Sequence, residues 1–203
     1  MKLNKNHNYV SLDIGFPIWD KTFIAAPLVV IGTKENDGYD MAPKHMITPL
    51  GFQNYFGFVC TPKHATYRNV KVSKTFTVSF LLPESVTIAS LSAFPRDQIT
   101  SKSENIINAL PTLKSDHIDA LILKDSYLRL ECKLFKIIDG FGENSIISGI
   151  ITHASVNENY LIESEKDQQS QLKDHGLLVY IAPGRFAKVT ETFNFPFPKG
   201  FKR

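Results

Sequence analysis

Alternation dominates the hydrophobic pattern of this chain. Tyr127–Ile138, YLRLECKLFKII, sets Leu128, Leu130, Cys132 and Leu134 inward and Arg129, Glu131 and Lys133 outward, the period-two signature of a strand with one covered face. TFTVSF before Leu81 alternates in the same way, with Phe76, Val78 and Phe80 on one side and Thr77 and Ser79 on the other. Ala26–Gly32, APLVVIG, and Asn54–Cys60, NYFGFVC, are apolar on both faces, as strands in the wall of a closed or sandwiched sheet would be. Ser145–Val156 and Gly176–Ala182 add further strands. Asp37-Gly38 is a strong turn signal, and DGFGEN (Asp139–Asn144) reads as a Gly-rich hairpin turn. Helical signals are few. Ser85–Phe94 is ambiguous, while SENIINALP offers Ser103 as a cap, a short apolar stripe and Pro111 as a stop. About six or seven strands with two short helices predict a mainly β fold, a barrel or sandwich and not a parallel α/β sheet.

There is no repeat, low-complexity tract or domain-scale linker, so residues 1–203 read as a single domain with an extended C-terminal arm at 190–203. In that arm, FNFPFPKGFKR alternates Phe193, Phe195 and Phe197 with Asn194, Pro196 and Pro198. Prolines donate no ladder hydrogen bonds, so the arm is no central strand. Its three rings on one side need a surface, either the chain's own barrel or a partner subunit.

Composition narrows the function classes. With 43% apolar and 21% charged residues, the chain has the make-up of an ordinary soluble globular protein. A net charge of +3, with basic residues clustered locally, does not mark nucleic acid as the main partner. No apolar run reaches membrane-spanning length and MKLNKNHNYV lacks a signal-peptide core, so no membrane partner and a cytoplasmic location are expected. Cys60 and Cys132 sit in apolar strand patterns and read as buried small hydrophobes. The six histidines show neither HExxH nor paired Cys–His spacing, so no metal site is expected. GFG at 140–142 precedes a strand and not a helix, which excludes a dinucleotide fingerprint.

Two stretches carry candidate chemistry. Met41–Gly51, MAPKHMITPLG, is stiffened by Pro43 and Pro49, and Lys44, His45 and Thr48 offer donors. A sulfur-rich, proline-rigid loop suits the face of a flat aromatic ligand, although taken alone it reads as a solvated loop. In TPKHATYRNVKVSK, Lys63, His64, Arg68, Lys71 and Lys74 fall within twelve positions, with Thr66 and Asn69 among them, at the mouth of a strand. Cations, hydroxyls and backbone N–H groups in a short compass suit a phosphate, or equally a solvated basic turn guarding a sheet edge.

In these two stretches and their surroundings the chain resembles the flavin reductase-like family. That family's succession of apolar strand, D-G turn, N-x-A-P loop, strand, K-x-x-T-x-x-N-I segment and F-x-V-N strand is matched by APLVVIGTKENDGYDMAPKHMITPLG, YFGFVCTPKHATYRNV and KTFTVSF. LRLECKLFKIIDGFGENSIISGIITHASV is similar to its l-e-C-k-v … G-D-H strand pair, and YIAPGRFAKV to its terminal strand. The resemblance spans Ala26 to Val189. Asn144 stands where many members carry the histidine of G-D-H, Glu143 replaces its aspartate, and the D-P-P before the second strand is missing.

The resemblance implies an FMN-binding split β-barrel with a few short helices, a homodimer with one FMN per subunit, and flavin reductase chemistry. NAD(P)H would be the electron donor, and a flavin, metal ion, quinone or partner oxygenase the acceptor. Lys63, His64, Thr66, Arg68 and Asn69 would grip the FMN phosphate. Met41, Ala42, Pro43, Lys44, His45, Met46 and Thr48 would line the ring and its ribityl chain, with Lys44 or His45 near N1 and Asn144 near the nicotinamide. The alternatives are a non-catalytic FMN electron carrier that docks to a redox partner, or a split barrel for another ligand such as a deazaflavin or haem, with His153 as the axial candidate.

Overall fold

The doubly apolar segment at 26–32 divides at Leu28 into β1 (Ile24–Pro27) and β2 (Val29–Glu35). A computed structural model describes residues 8–95, 102–163 and 167–201, with the side chains of 103 and 104 outside it. Asn36, at φ 46°, and Asp37 turn the chain into β3 (Gly38–Lys44), so Gly38 opens the returning strand and is not itself the turn. After β4 (Ile47–Pro49) and β5 (Tyr55–Cys60) comes helix α1 (Ala65–Ser73), then β6 (Thr75–Leu81). The expected Met41–Gly51 loop is therefore mostly two short strands, and the expected basic strand mouth is mostly a helix. Pro43 and Pro49 are tolerated because β3 and β4 are the two edges of their sheet.

The ambiguous 85–94 segment is helical as α2 (Val86–Ser92). Ser103 falls inside the short α3 (Lys102–Asn105) and not before it, with its side chain outside the described residues. A small hairpin, β7 (Thr112–Lys114) and β8 (Leu121–Leu123), precedes the long pair β9 (Ser126–Phe141) and β10 (Asn144–Val156). Helix α4 (Gln168–Asp174), β11 (Leu177–Ala182) and β12 (Arg185–Val189) follow, and β1, β11 and β12 form a separate three-stranded sheet.

The main sheet is antiparallel in the order β3-β2-β6-β9-β10-β5-β4, and its curl follows from connectivity. A flat sheet of this order would hold its edges roughly 29 Å apart at the usual strand spacing. Yet Lys44 ends one edge and Ile47 begins the other, and three residues reach at most roughly 11 Å. The sheet must roll until its edges nearly meet, with His45–Met46 as the link and Met46 O already accepting from Val59 N. That is a split barrel, mainly β with few helices, as the resemblance implied.

Two hydrophobic clusters occupy the two sides of the wall. Val29, Ile31, Phe56, Phe58, Phe76, Val78, Leu130 and Cys132 fill one, together with Tyr67 and Val70 from α1. Val30, Met41, Leu81, Ala89, Leu121, Leu123 and Leu178 fill the other, between the sheet, α2, β8 and β11. This is why β2 is apolar on both faces. Polar positions read as outward are covered as well. Thr77 Oγ1 donates to Leu121 O at 2.5 Å, and Ser79 Oγ accepts from Leu123 N at 3.0 Å, so the hydroxyl face of β6 is the seat of β8. Glu131, expected in solvent, is buried and accepts from Asp116 N and pairs with His117 Nδ1 at 3.1 Å.

The C-terminal arm forms neither strand nor helix over 190–201. The Phe195 ring lies tilted 4.7 Å from that of Phe197, and Phe197 stacks on Phe201 (4.8 Å), so the ring cluster includes Phe201, a residue outside the expected trio.

Candidate functional site

The last residues of β3 lie between two features that the fold brings together. On one side is the start of α1. His64 occupies the N-cap position but makes no side-chain cap, and the first turn holds no acidic residue. The first N–H groups of a helix have no acceptor within it, and the aligned peptide dipoles give that end a partial positive charge. Lys63 and Arg68 flank it: Arg68 Nη1 donates to Lys63 O at 2.7 Å, and Lys63 Nζ reaches Glu143 Oε1 at 2.8 Å. Both side chains are exposed, so each contact is worth little by itself.

Lys44 approaches from β3 toward the Cys60 thiol and His64. Burial pushes the Cys60 thiol up from its ordinary range, with Lys44 opposing the shift. Burial, and then the Lys44 charge, hold the His64 imidazole below its ordinary value, and His45 is lowered for the same two reasons. Both histidines are therefore neutral at pH 7, and the fixed positive charge comes from Lys44, Lys63 and Arg68.

Thr66 departs from its expected role. Its side chain is 2% exposed and its hydroxyl donates inward to Asp40 Oδ2 at 3.4 Å, so only its main chain faces the helix start. Asp40 in turn lies 3.1 Å from Lys102 Nζ. Asn69 is also turned inward, Nδ2 donating to Thr33 Oγ1 at 3.1 Å, and ties α1 to β2. Tyr67 Oη donates to Asp139, which also accepts from Ser145 Oγ at 2.6 Å, joining the helix to the β9–β10 hairpin.

On the other side is an open cavity of about 320 Å³. Successive strand residues point to opposite sides, so Pro43 and His45 line this cavity while Lys44 faces the helix. Leu28, Val86 and Ala89 supply apolar walls, and Tyr180, Arg185 and Phe186 complete it from β11 and β12. The His45 and Tyr180 rings lie 4.6 Å apart, and Tyr180 Oη accepts from Gly184 N at 2.8 Å. Arg185 is the fixed cation among the lining residues.

The other expected residues are placed as follows. Met41 is fully buried in the second cluster and offers nothing to a ligand face. Ala42 is half-buried on the β3 edge. Met46 is exposed in the β3–β4 corner, and Thr48 Oγ1, beyond it on β4, donates to Pro49 O. Asn144 is exposed at the hairpin tip, next to the Glu143 that meets Lys63, on the helix-start side of the site. His153 lies on β10 opposite Glu131, its ring 4.1 Å from that of His117; among the described residues no three His, Cys, Asp or Glu side chains are arranged to hold a metal ion.

Asp40, Lys102, Tyr180 and Arg185 went unread as site residues. Asp40 adjoins Met41, and Arg185 lies in the terminal strand matched to the family, but nothing local to Lys102 signals that it is buried against a carboxylate.

Comparisons agree with this architecture. No curated protein matches the sequence. Flavoredoxin from Methanosarcina acetivorans superposes with a TM-score of 0.75 at 17% identity, over 96% of this chain and 98% of that one. An FMN-binding protein from Thermus thermophilus with bound 1-cyclohex-2-enone gives 0.70 at 18%, over 96% and 99%. The flavin reductase component of a bacterial two-component tryptophan halogenase gives 0.64 at 16%, over 83% and 93%. At such identities these likenesses establish the fold. The family rests on the sequence itself: residues 21–186, from just before β1 into β12, match the flavin reductase like domain. A split barrel in which that match encloses the uncapped helix start, the β3 edge and the aromatic cavity belongs to the flavin reductase-like family.

Proposed function

We infer that the chain is an FMN-dependent oxidoreductase that takes electrons from NAD(P)H and passes them to a flavin, metal ion, quinone or partner oxygenase. The observation that carries this reading is the convergence of Lys44, Lys63 and Arg68 on an uncapped helix start, beside an edge strand whose other side opens on an aromatic-walled cavity. The donor set fits a phosphate: cations and main-chain N–H groups, with the nearby acids Asp40 and Glu143 held by Lys102 and Lys63. The cavity fits a flat ring, with Pro43, His45, Tyr180 and Phe186 around it. The β3 edge, including Ala42, runs between them and would hold a ribityl chain. Bound there, FMN supplies the hydride and one-electron chemistry, and the chain supplies position and charge. Arg185 would stand with His45 as a polar group near the ring. The names of the structural relatives, an FMN-binding protein and a flavin reductase component, support the same reading.

Titration with FMN and with riboflavin, which shares the ring but lacks the phosphate, tests it. Arg68→Ala and Lys44→Ala should each weaken FMN roughly ten- to a hundred-fold, because a hydrogen bond to a charged group is worth about 1.5–3 kcal/mol. Riboflavin should change little, and FMN affinity should fall as salt rises. Equal losses for both ligands would mean that these residues only support the barrel.

With Asn144 in the place of the G-D-H histidine, hydride uptake is expected to be slow relative to members that carry it. An amide hydrogen-bonds a carboxamide but does not titrate near neutral pH. Asn144→His is expected to speed anaerobic bleaching of the flavin by NAD(P)H and to make that rate depend on pH. No change in either would place the Glu143–Asn144 tip away from the nicotinamide.

A further inference from the structure

We propose that the hollow enclosed by residues 10–21 is the seat for the aromatic arm of a second copy of this chain, each copy giving its arm to the other. The inference concerns a surface apart from the flavin site and does not depend on that reading.

Two turns shape the N-terminal segment: Phe16 N donates to Asp13 O at 3.4 Å, and Lys21 N to Ile18 O at 3.0 Å. Apart from the half-buried Ile18, every residue from Asn8 to Ala25 is exposed, so the segment stands off its own barrel. It encloses a hollow of about 520 Å³, lined by Val10, Leu12, Phe16 and Pro17 with Asp13 and Asp20 among them. An apolar cavity of roughly 150 Å³ holds one benzene ring, so this one has room for about three. The arm presents its rings as one cluster, Phe195, Phe197 and Phe201, with neighbouring centroids 4.7 and 4.8 Å apart. Charge matches as well. Lys21 pairs with Asp20 at 3.4 Å, leaving Asp13 as the net charge of the lining, while Lys199, Lys202 and Arg203 make the end of the arm basic.

Strand register decides whose arm takes the seat. β1 begins with Ile24 opposite Ala182, and β12 ends with Val189 opposite Leu177. The N-terminal segment and the arm therefore leave the small sheet at opposite ends of β11, roughly 17 Å apart along the strand. Gln169 Nε2 holds the base of the arm at its own end by donating to Thr190 O at 3.2 Å. A second copy brings arm and hollow together without either segment doubling back across the sheet. Since one chain carries both, a reciprocal exchange about a two-fold axis fills both seats and closes the pair.

The experiment uses the full chain, whose own Cys60 and Cys132 are buried. Leu12→Cys and Phe195→Cys are made in separate chains, mixed, left to exchange and treated with a short bismaleimide. A cross-linked pair is expected from the mixture and from neither variant alone. Light scattering across a dilution series then compares Phe16→Asp and Phe16→Leu with the unaltered protein. Phe16→Asp should raise the Kd of the dimer about tenfold or more, and Phe16→Leu by less than about threefold, because leucine keeps most of the apolar area that the seat buries. In a chain carrying both cysteines, a cross-link closed within one chain would overturn the exchange and make the hollow the seat of the chain's own arm. No cross-link from the mixture, or an unchanged dimer in Phe16→Asp, would overturn the seat while leaving pairing through the arm intact. A protein monomeric at every concentration would overturn both.

Discussion

We propose that the chain pairs with a second copy through its arm, and a chain ending at Val189 is expected to be monomeric and to hold FMN more weakly. Phe193, Phe195 and Phe197 are 87%, 70% and 48% exposed in the single chain, so the arm does not lie on its own barrel. Each ring, if covered, contributes on the order of 2 kcal/mol, and three together rival the net stability of a small interface. The N-terminal stretch adds Phe16, Trp19 and Phe23, all exposed. Exposed apolar rings on two terminal segments are surface one expects a second copy to cover. The arm is anchored at its base, where Gln169 Oε1 accepts from Thr192 N at 2.8 Å and Thr192 Oγ1 at 2.6 Å, so it leaves the barrel in a set direction. Light scattering and visible absorbance of the truncated protein are the measurements. A truncated protein that stays dimeric and fully coloured would show that the arm serves neither the interface nor the cofactor.

Gly32→Ala should be among the most damaging single substitutions in the barrel. A Cβ at this position would run into the Leu121 carbonyl oxygen and Thr77 Oγ1. Those two atoms are already hydrogen-bonded to one another at 2.5 Å, and one of them is main chain, so neither has room to yield. Overpacking and a broken buried hydrogen bond together should cost about 3–4 kcal/mol, a large share of a domain's 5–15. The damage also reaches the site. Gly32 pairs with Met41, whose carbonyl receives Lys102, so a shift of β2 moves the strand that carries Asp40. Urea unfolding with an unchanged slope and a much lower midpoint is the expected result. A loss under about 1 kcal/mol would mean that β8 does not cross β2 so closely.

Much of the barrel was legible because apolar side chains alternate along its strands. Leu128, Leu130 and Cys132 could be assigned inward from spacing alone, and they are at least half-buried. Helix α1 was not legible. ATYRNVKVS offers few apolar residues, and its threonine and valines favour strands as much as helices. It is helical because Tyr67 and Val70 fit the barrel's first cluster, a tertiary reason. The basic residues were correctly gathered into one stretch, but the helix decided which of them face out. Lys63 and Arg68 face out, while the neutral Thr66 and Asn69 beside them turn inward to Asp40 and Thr33.

By itself, the order of residues determined the antiparallel strands, the hairpin turns and the concentration of positive charge between β5 and β6. Each depends on neighbours a few positions apart, where side-chain alternation and turn propensity act. Only the tertiary structure decided that Thr77, Ser79 and Glu131 are buried partners and not surface. It also decided that Lys44 and His45 serve opposite sides of one edge strand, and that Lys102 is spent on Asp40. Those outcomes turn on which distant segment covers a given face. A polar side chain reads the same in sequence whether water or a buried partner satisfies it, and only the fold tells the two apart.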